Sequence, residues 1–148
     1  MQLARVPPRY LNLLIIIAFA LHFIIPIRIL IPPPYSYCGI IFIISGLILN
    51  IWSTNHLRKR GTPVEFDEAP QVLVTDGPFR MSRNPIYLGG LFLLSGIAIT
   101  LGSLITFIFP FALFLILNKV YIPLEEIVLE NSFADQYRAY KKRVRRWL

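Results

Sequence analysis

Apolar residues dominate residues 11–31, 35–57, 85–100 and 104–122, and polar residues collect between and after these runs. A helix that crosses a bilayer needs roughly 20 consecutive apolar residues, and each run meets or approaches that length. The pattern predicts an all-α, polytopic membrane protein with about four transmembrane helices. Arg5 and Arg9 precede the first run as in a signal peptide. The run is long and no small-residue cleavage site follows it, so a retained helix is predicted. His22 is assigned to helix packing, hydrogen-bonded within the bundle. Pro26 lies in the same run, and Arg28, near its far end, can reach the interface with its charged head. Pro32-Pro33-Pro34 then ends the helix, because proline cannot continue a helix interior.

The second run carries Gly39, Ser45 and Gly46, small residues that let helices approach closely. Asn50, Asn55 and His56 fall in its last two turns, either as interfacial polarity or as lining of a site. Arg58-Lys59-Arg60 closes it. Residues 61–82 form the longest polar stretch, with Glu65, Asp67 and Glu68, and are read as a lid or wall. The third and fourth runs meet at Leu101-Gly102-Ser103, which predicts a tight transmembrane hairpin. Pro110 is expected to kink the fourth helix. Asn118, Lys119 and Tyr121 bring it back to the side of Arg83.

The tail has its own period. Ser132 and Asp135 resemble a helix-starting capping pair. Phe133, Tyr137, Tyr140, Val144 and Trp147 then recur at helical spacing, with Arg138, Lys141, Lys142, Arg145 and Arg146 around them. One reading is a C-terminal amphipathic helix lying in the interface, aromatics toward lipid and cations toward anionic headgroups. The other is that Tyr137 and Tyr140 fold back and cover a site. A single domain, 1–148, is thus divided into two N-terminal helices (1–57), a connector (58–84), a hairpin (85–122) and a tail (123–148).

Composition narrows the class. With 55% hydrophobic residues and a mean hydropathy of +0.61, an ordinary soluble domain is excluded. The net charge of +7 fits the positive-inside rule and anionic lipid headgroups better than nucleic acid. Arg5 and Arg9, the connector and the tail share one side of a four-pass arrangement, which predicts cytoplasmic termini. Cys38 is the only cysteine, so there is no internal disulfide or cysteine metal cluster, and His22 and His56 lack ligand-spaced companions.

The candidate chemistry lies in residues 77–90, where the polar connector becomes apolar. Asn84 is a good N-cap and Pro85 suits the first helical position. A helix start with free amides, beside Arg80 and Arg83, makes a place for an anionic group.

Gly77-Pro78-Phe79-Arg80 and Ser82-Arg83-Asn84-Pro85-Ile86-Tyr87-Leu88-Gly89 resemble the first half of the signature of the integral-membrane methyltransferases. These are the isoprenylcysteine carboxyl methyltransferase and phospholipid methyltransferase group. The second half is matched by Glu125-Glu126, Leu129, Phe133, Tyr137 and Tyr140-Lys141-Lys142-Arg143-Val144, so the likeness covers roughly residues 73–144. It implies S-adenosylmethionine as methyl donor and a lipid or lipid-modified acceptor, at the cytoplasmic membrane face. The implied donor site comprises Gly77, Pro78, Arg83, Asn84, Pro85, Tyr87, Leu88, Gly89, Glu125, Glu126, Tyr137 and Tyr140, with Arg83, Asn84, Glu125 and Glu126 nearest the chemistry.

Asn84 stands where the isoprenylcysteine enzymes usually carry histidine, and asparagine cannot titrate near neutral pH. Glu125 and Glu126 are adjacent, about 100° apart on a helix, so one can meet the donor while the other pairs with a tail arginine. A carboxylate acceptor would need a cationic clamp, Arg83 or Arg80. An amine acceptor would need a base, Glu125 or Glu126. No Gly-x-Gly-x-x-Gly follows a strand, which excludes a soluble Rossmann methyltransferase. Two other classes stay open: an NADPH-dependent membrane reductase of the sterol-reductase type, and a non-enzymatic membrane adaptor.

Overall fold

The computed structural model describes residues 7–24, 29–62 and 72–148. Among them are five α-helices and no strand: α1 (Pro7–Ile24), α2 (Cys38–Lys59), α3 (Pro85–Leu101), α4 (Ile108–Ile116) and α5 (Ile122–Arg143). Arg5, Pro26, Arg28, Glu65, Asp67 and Glu68 lie outside the described residues. Tyr35–Lys59 and Leu104–Arg143 are long and apolar enough to cross a membrane, whereas the apolar stretches Leu11–Ile24 and Pro85–Leu101 are shorter. The outward faces are rich in large apolar side chains, such as Ile16, Phe23, Ile41, Ile48 and Phe111, each at least 60% exposed. An apolar surface this extensive suits lipid rather than water.

Between helices in lipid the hydrophobic effect contributes little, so close backbone approach must supply the contact energy. α2 and α3 achieve it with glycines seven residues apart on each helix. A Cβ on Gly46 would lie 2.6 Å from the Gly89 carbonyl oxygen, and one on Gly96 would lie 2.6 Å from that of Gly39. Gly102 then ends α3 in the left-handed conformation (φ 66°), and its carbonyl accepts the Leu30 amide at 2.7 Å.

Pro110, expected to kink the fourth helix from within, stands near the start of α4. A 3-10 turn at Leu104–Phe107 precedes α4, so the proline falls in the first turn of α4, where no amide is needed. The irregularity comes later, as a π turn at Leu117–Tyr121 that runs directly into α5. Pro123 also sits in a first turn and leaves the rod unbroken.

Two clusters of buried side chains hold the bundle. The apolar one joins Ala18 of α1, Tyr87 and Leu94 of α3, and Phe109, Leu113, Leu117 and Ile122 along α4 and α5. The second lies at the polar end and joins Val74 and Phe79 of the connector to Tyr137 and Tyr140 of α5, with Leu73, Leu129, Phe133 and Val144 against it. Burying side chains of this size stabilises by about 1.5–3 kcal/mol each where water is the alternative.

This second cluster corrects the interfacial reading of the tail. Tyr137 and Tyr140 are only 2% and 3% exposed, so the aromatic face meets protein and not lipid. The cause is a break at Ala134 (φ 41°, ψ −112°), one residue before Asp135, which redirects the last turns of α5 onto the connector. His22 also departs from expectation. Its ring stands edge-on to Phe23, with centroids 5.1 Å apart, but its buried Nδ1 has no hydrogen-bond partner among the described residues.

Candidate functional site

The two clusters meet where α3 begins, and charged side chains fill the junction. Arg83 points inward, its side chain 10% exposed, and its Nη1 donates to Glu126 Oε1 at 2.7 Å and to the Tyr137 hydroxyl at 3.3 Å. Glu126 is shared: Arg146 Nη2 donates to its Oε2 at 2.8 Å and Arg146 Nε to its Oε1 at 3.3 Å. One carboxylate therefore sits between two guanidinium groups. Arg83 Nε is buried and has no hydrogen-bond partner among the described residues. Glu125, one residue earlier, turns the other way and accepts the Tyr87 hydroxyl at 2.8 Å. The angle between neighbouring helical side chains thus sends the two acids to different partners.

The C-terminal segment completes the junction, which the spacing of residues did not reveal. Val144 leaves the helix in an extended conformation. The Arg145 carbonyl accepts the Arg83 amide at 3.0 Å, and the Arg146 carbonyl accepts from Ser82 Oγ at 3.1 Å and Asn84 Nδ2 at 2.9 Å. Arg146 Nη1 donates to Asn118 Oδ1 at 3.1 Å, and the Trp147 indole N–H donates to the same oxygen at 3.3 Å. Asn118 belongs to the π turn, a common irregularity at functional sites. Ser82, Asn118, Arg145, Arg146 and Trp147 are thus structural partners of the site. Paired arginines followed by a tryptophan at the end of an amphipathic stretch were the available signal.

Asn84 starts α3 by its backbone, the Leu88 amide bonding to its carbonyl at 3.0 Å, but its side chain makes no cap. The side-chain amide holds the tail instead, and the backbone amide of Asn84 donates to Ser82 Oγ at 3.1 Å. The first turn of a helix has no internal carbonyls for its amides, and with Pro85 lacking one, those of Ile86 and Tyr87 are left without an i−4 carbonyl of their own helix.

The remaining motif residues support this junction from behind. Gly77 (φ 58°) packs on the His56 ring, where a Cβ would come within 2.9 Å of Cε1 and Nε2. His56 Nε2 shares a hydrogen bond with Asp76 Oδ1 at 2.8 Å, and Arg60 pairs with the other Asp76 oxygen. Pro78 and Pro85 are fully buried, and the Tyr140 hydroxyl donates to the Phe79 carbonyl at 2.7 Å. Asn50 Nδ2 donates to the Ile86 carbonyl at 3.3 Å, bracing the first turn of α3 from α2. Gly89 faces Gly46 in the α2–α3 contact, and Leu88 faces a cleft between α3 and α4. Arg80 is exposed on the surface, unlike Arg83. Of the motif residues, the structure brings Arg83, Asn84, Tyr87, Glu125, Glu126 and Tyr137 together. Gly77, Pro78, Pro85, Gly89 and Tyr140 shape their surroundings.

A family model described as phospholipid methyltransferase matches residues 35–136. A protein of Haemophilus influenzae, described only as uncharacterized, is 38% identical over 63 residues, which is 43% of this chain and the whole of that protein. The family match takes in Arg83, Asn84, Tyr87 and both acids, and ends just before Tyr137. With more than half its length matched, from the turn before α2 to the bend in α5, the chain belongs to the phospholipid methyltransferase family.

Proposed function

We propose that the protein transfers a methyl group from S-adenosylmethionine to a lipid or lipid-modified acceptor at the cytoplasmic face of a membrane that it crosses several times. The observation that carries the reading is the charged junction at the start of α3: Arg83, Glu125, Glu126 and Arg146 gathered at the edge of an apolar bundle. Its donor set suits S-adenosylmethionine. Arg83 keeps a buried Nε with no partner among the described residues, and the first-turn amides of Ile86 and Tyr87 face no i−4 carbonyl of their own helix, which favours a carboxylate. Glu125 is the acceptor available for an ammonium or ribose hydroxyls. When bound, the donor supplies an electrophilic methyl on a sulfonium, and the protein's part is positioning and exclusion of water.

The chain's own groups meet the needs of the acceptor. Arg83 and Arg146 already hold one carboxylate, that of Glu126, so an acceptor carboxylate or phosphate fits the same pair. An amine acceptor must first lose a proton, and Glu125 Oε1, held by Tyr87, is the base placed for it. Tyr87, Leu94 and the packed start of α3 keep water from the apolar side. The exposed Arg58, Lys59, Arg60, Lys142, Arg143 and Arg145 would meet anionic headgroups.

The test is transfer of labelled methyl groups from S-adenosylmethionine into the lipid phase of nanodiscs. Label in lipid, lost in Glu126→Gln, is expected. Lipid label no higher than in protein-free discs would contradict the reading.

A further inference from the structure

Resting on the methyl-transfer reading, we propose that Asn118 is a positioning residue of the donor site. It acts through Arg146, holding that guanidinium on Glu126 and so keeping Arg83 open to a ligand carboxylate.

The register of α4 and α5 puts Asn118 in place. Buried side chains recur at Phe109, Leu113, Leu117 and Ile122, at intervals of four, four and five residues. An α-helix repeats every ~3.6 residues, so the last interval holds one residue too many, and the π turn at Leu117–Tyr121 accommodates it. The Ile122 amide accordingly bonds the Leu117 carbonyl, one residue further back than in an α-helix. In an α-helix that amide would meet the Asn118 carbonyl, and the next residue, Pro123, has no amide. Both nearby helical donors are thus withheld from the Asn118 carbonyl, which takes Arg146 Nη1 instead, at 3.4 Å. Asn118 Oδ1 accepts from the same nitrogen at 3.1 Å and from the Trp147 indole N–H at 3.3 Å. A polar side chain in the apolar run 104–122 is costly unless it is hydrogen-bonded, and this one is bonded to the C-terminal segment.

The effect is felt at Glu126. Arg146 meets both of its oxygens, Nη2 on Oε2 at 2.8 Å and Nε on Oε1 at 3.3 Å. This is the two-point pairing that guanidinium and carboxylate groups favour. Arg83 is left with one point, Nη1 on Oε1 at 2.7 Å, and its buried Nε has no partner among the described residues. Were Arg146 to move away, Glu126 would turn onto Arg83 and make the two-point pairing there. That would spend the Nε on which a ligand carboxylate depends. Asn118 bonds Arg146 and Trp147, so its influence on Glu126 passes through Arg146.

The test is titration calorimetry of S-adenosylmethionine with the full chain in detergent, joined to hydrogen exchange of the donor-free protein. Asn118→Ala should weaken donor binding about tenfold and speed exchange at the Arg83 amide, which the Arg145 carbonyl holds at 3.0 Å. In an Arg146→Met background the same substitution should change donor affinity by less than about twofold, because the residue it acts through is gone. A general loss of packing would instead weaken binding equally in both backgrounds. Asn118→Asp, which keeps an oxygen in the same place, should bind the donor like the unmodified protein. Asn118→Leu, close in size to asparagine, is read in the same way as the alanine variant should that one not fold. Unchanged donor affinity or unchanged exchange in Asn118→Ala, or equal weakening in both backgrounds, would overturn the positioning role alone. Absence of donor binding to the unmodified protein would overturn the methyl-transfer reading and this role with it.

Discussion

Removing the charge of Glu126 should cost more than removing that of Arg83, although each breaks the same ion pair. Glu126 lies between two guanidinium groups and its side chain is 13% exposed. In Arg83→Met, Glu126 keeps Arg146 at 2.8 Å, and the loss is one charge-assisted hydrogen bond, about 1.5–3 kcal/mol. In Glu126→Gln, Arg83 and Arg146 face each other with no counter-charge. Stranding a buried charge costs roughly 3–5 kcal/mol, and the lower end applies because the Arg146 side chain is 31% exposed and water reaches it. The double variant no longer strands Arg83, so its cost should fall short of the sum by about 1–3 kcal/mol. Unfolding by dodecyl sulfate in mixed micelles, followed by tryptophan fluorescence, measures all three. Equal single costs, or additivity within about 0.5 kcal/mol, would refute the shared-carboxylate geometry.

Three further outcomes can be checked on the same preparation. Gly77→Ala should destabilise by about 1–2 kcal/mol from the left-handed backbone alone, and more from its clash with His56; adding His56→Ala should recover only the clash. Ala134→Gly should raise stability by about 1 kcal/mol, because Ala134 is held at φ 41° where glycine is unstrained; an unchanged or lower stability would count against the bend. The hydrogen bond from His56, aided by the nearby Arg60 charge, holds the Asp76 carboxyl below its ordinary 3.8. A depressed carboxylate stabilises above its unfolded value and loses that contribution as pH falls through the folded one. Thermal stability should therefore drop on acidification through and below the carboxylate range, and Asp76→Asn should flatten that part of the profile.

Local features were the legible part of this fold. Pro85 marks the start of α3, and the period of Phe133, Tyr137, Tyr140 and Val144 marks the residues that share one buried cluster, because both depend on a few neighbouring residues. The partner of these residues was not legible: an aromatic stripe flanked by cations fits lipid or protein equally, and the bend at Ala134 decided for Phe79 and Val74. Pro110 looked like a kink within the fourth helix, yet it falls in the first turn of α4 because a 3-10 turn precedes it. At the site, Arg83 and the two acids could be named from their motif. Arg146 could not be tied to them, since its carbonyl reaches Asn84 across 62 residues and no periodicity records such a contact. The role of Asn84 changed for the same reason: its side chain is engaged by the tail rather than by its own helix.

Donor binding tests the central claim most directly. Titration calorimetry of the full chain in detergent, with S-adenosylmethionine, its demethylated product and NADPH in turn, should give saturable binding of the first two and none of the third. Arg83→Met should weaken that binding about tenfold or more, the worth of a charged contact near 1.4 kcal/mol. Binding of NADPH alone, or of no ligand at all, would contradict the assignment of the Arg83–Glu126–Arg146 junction as a methyl-donor site.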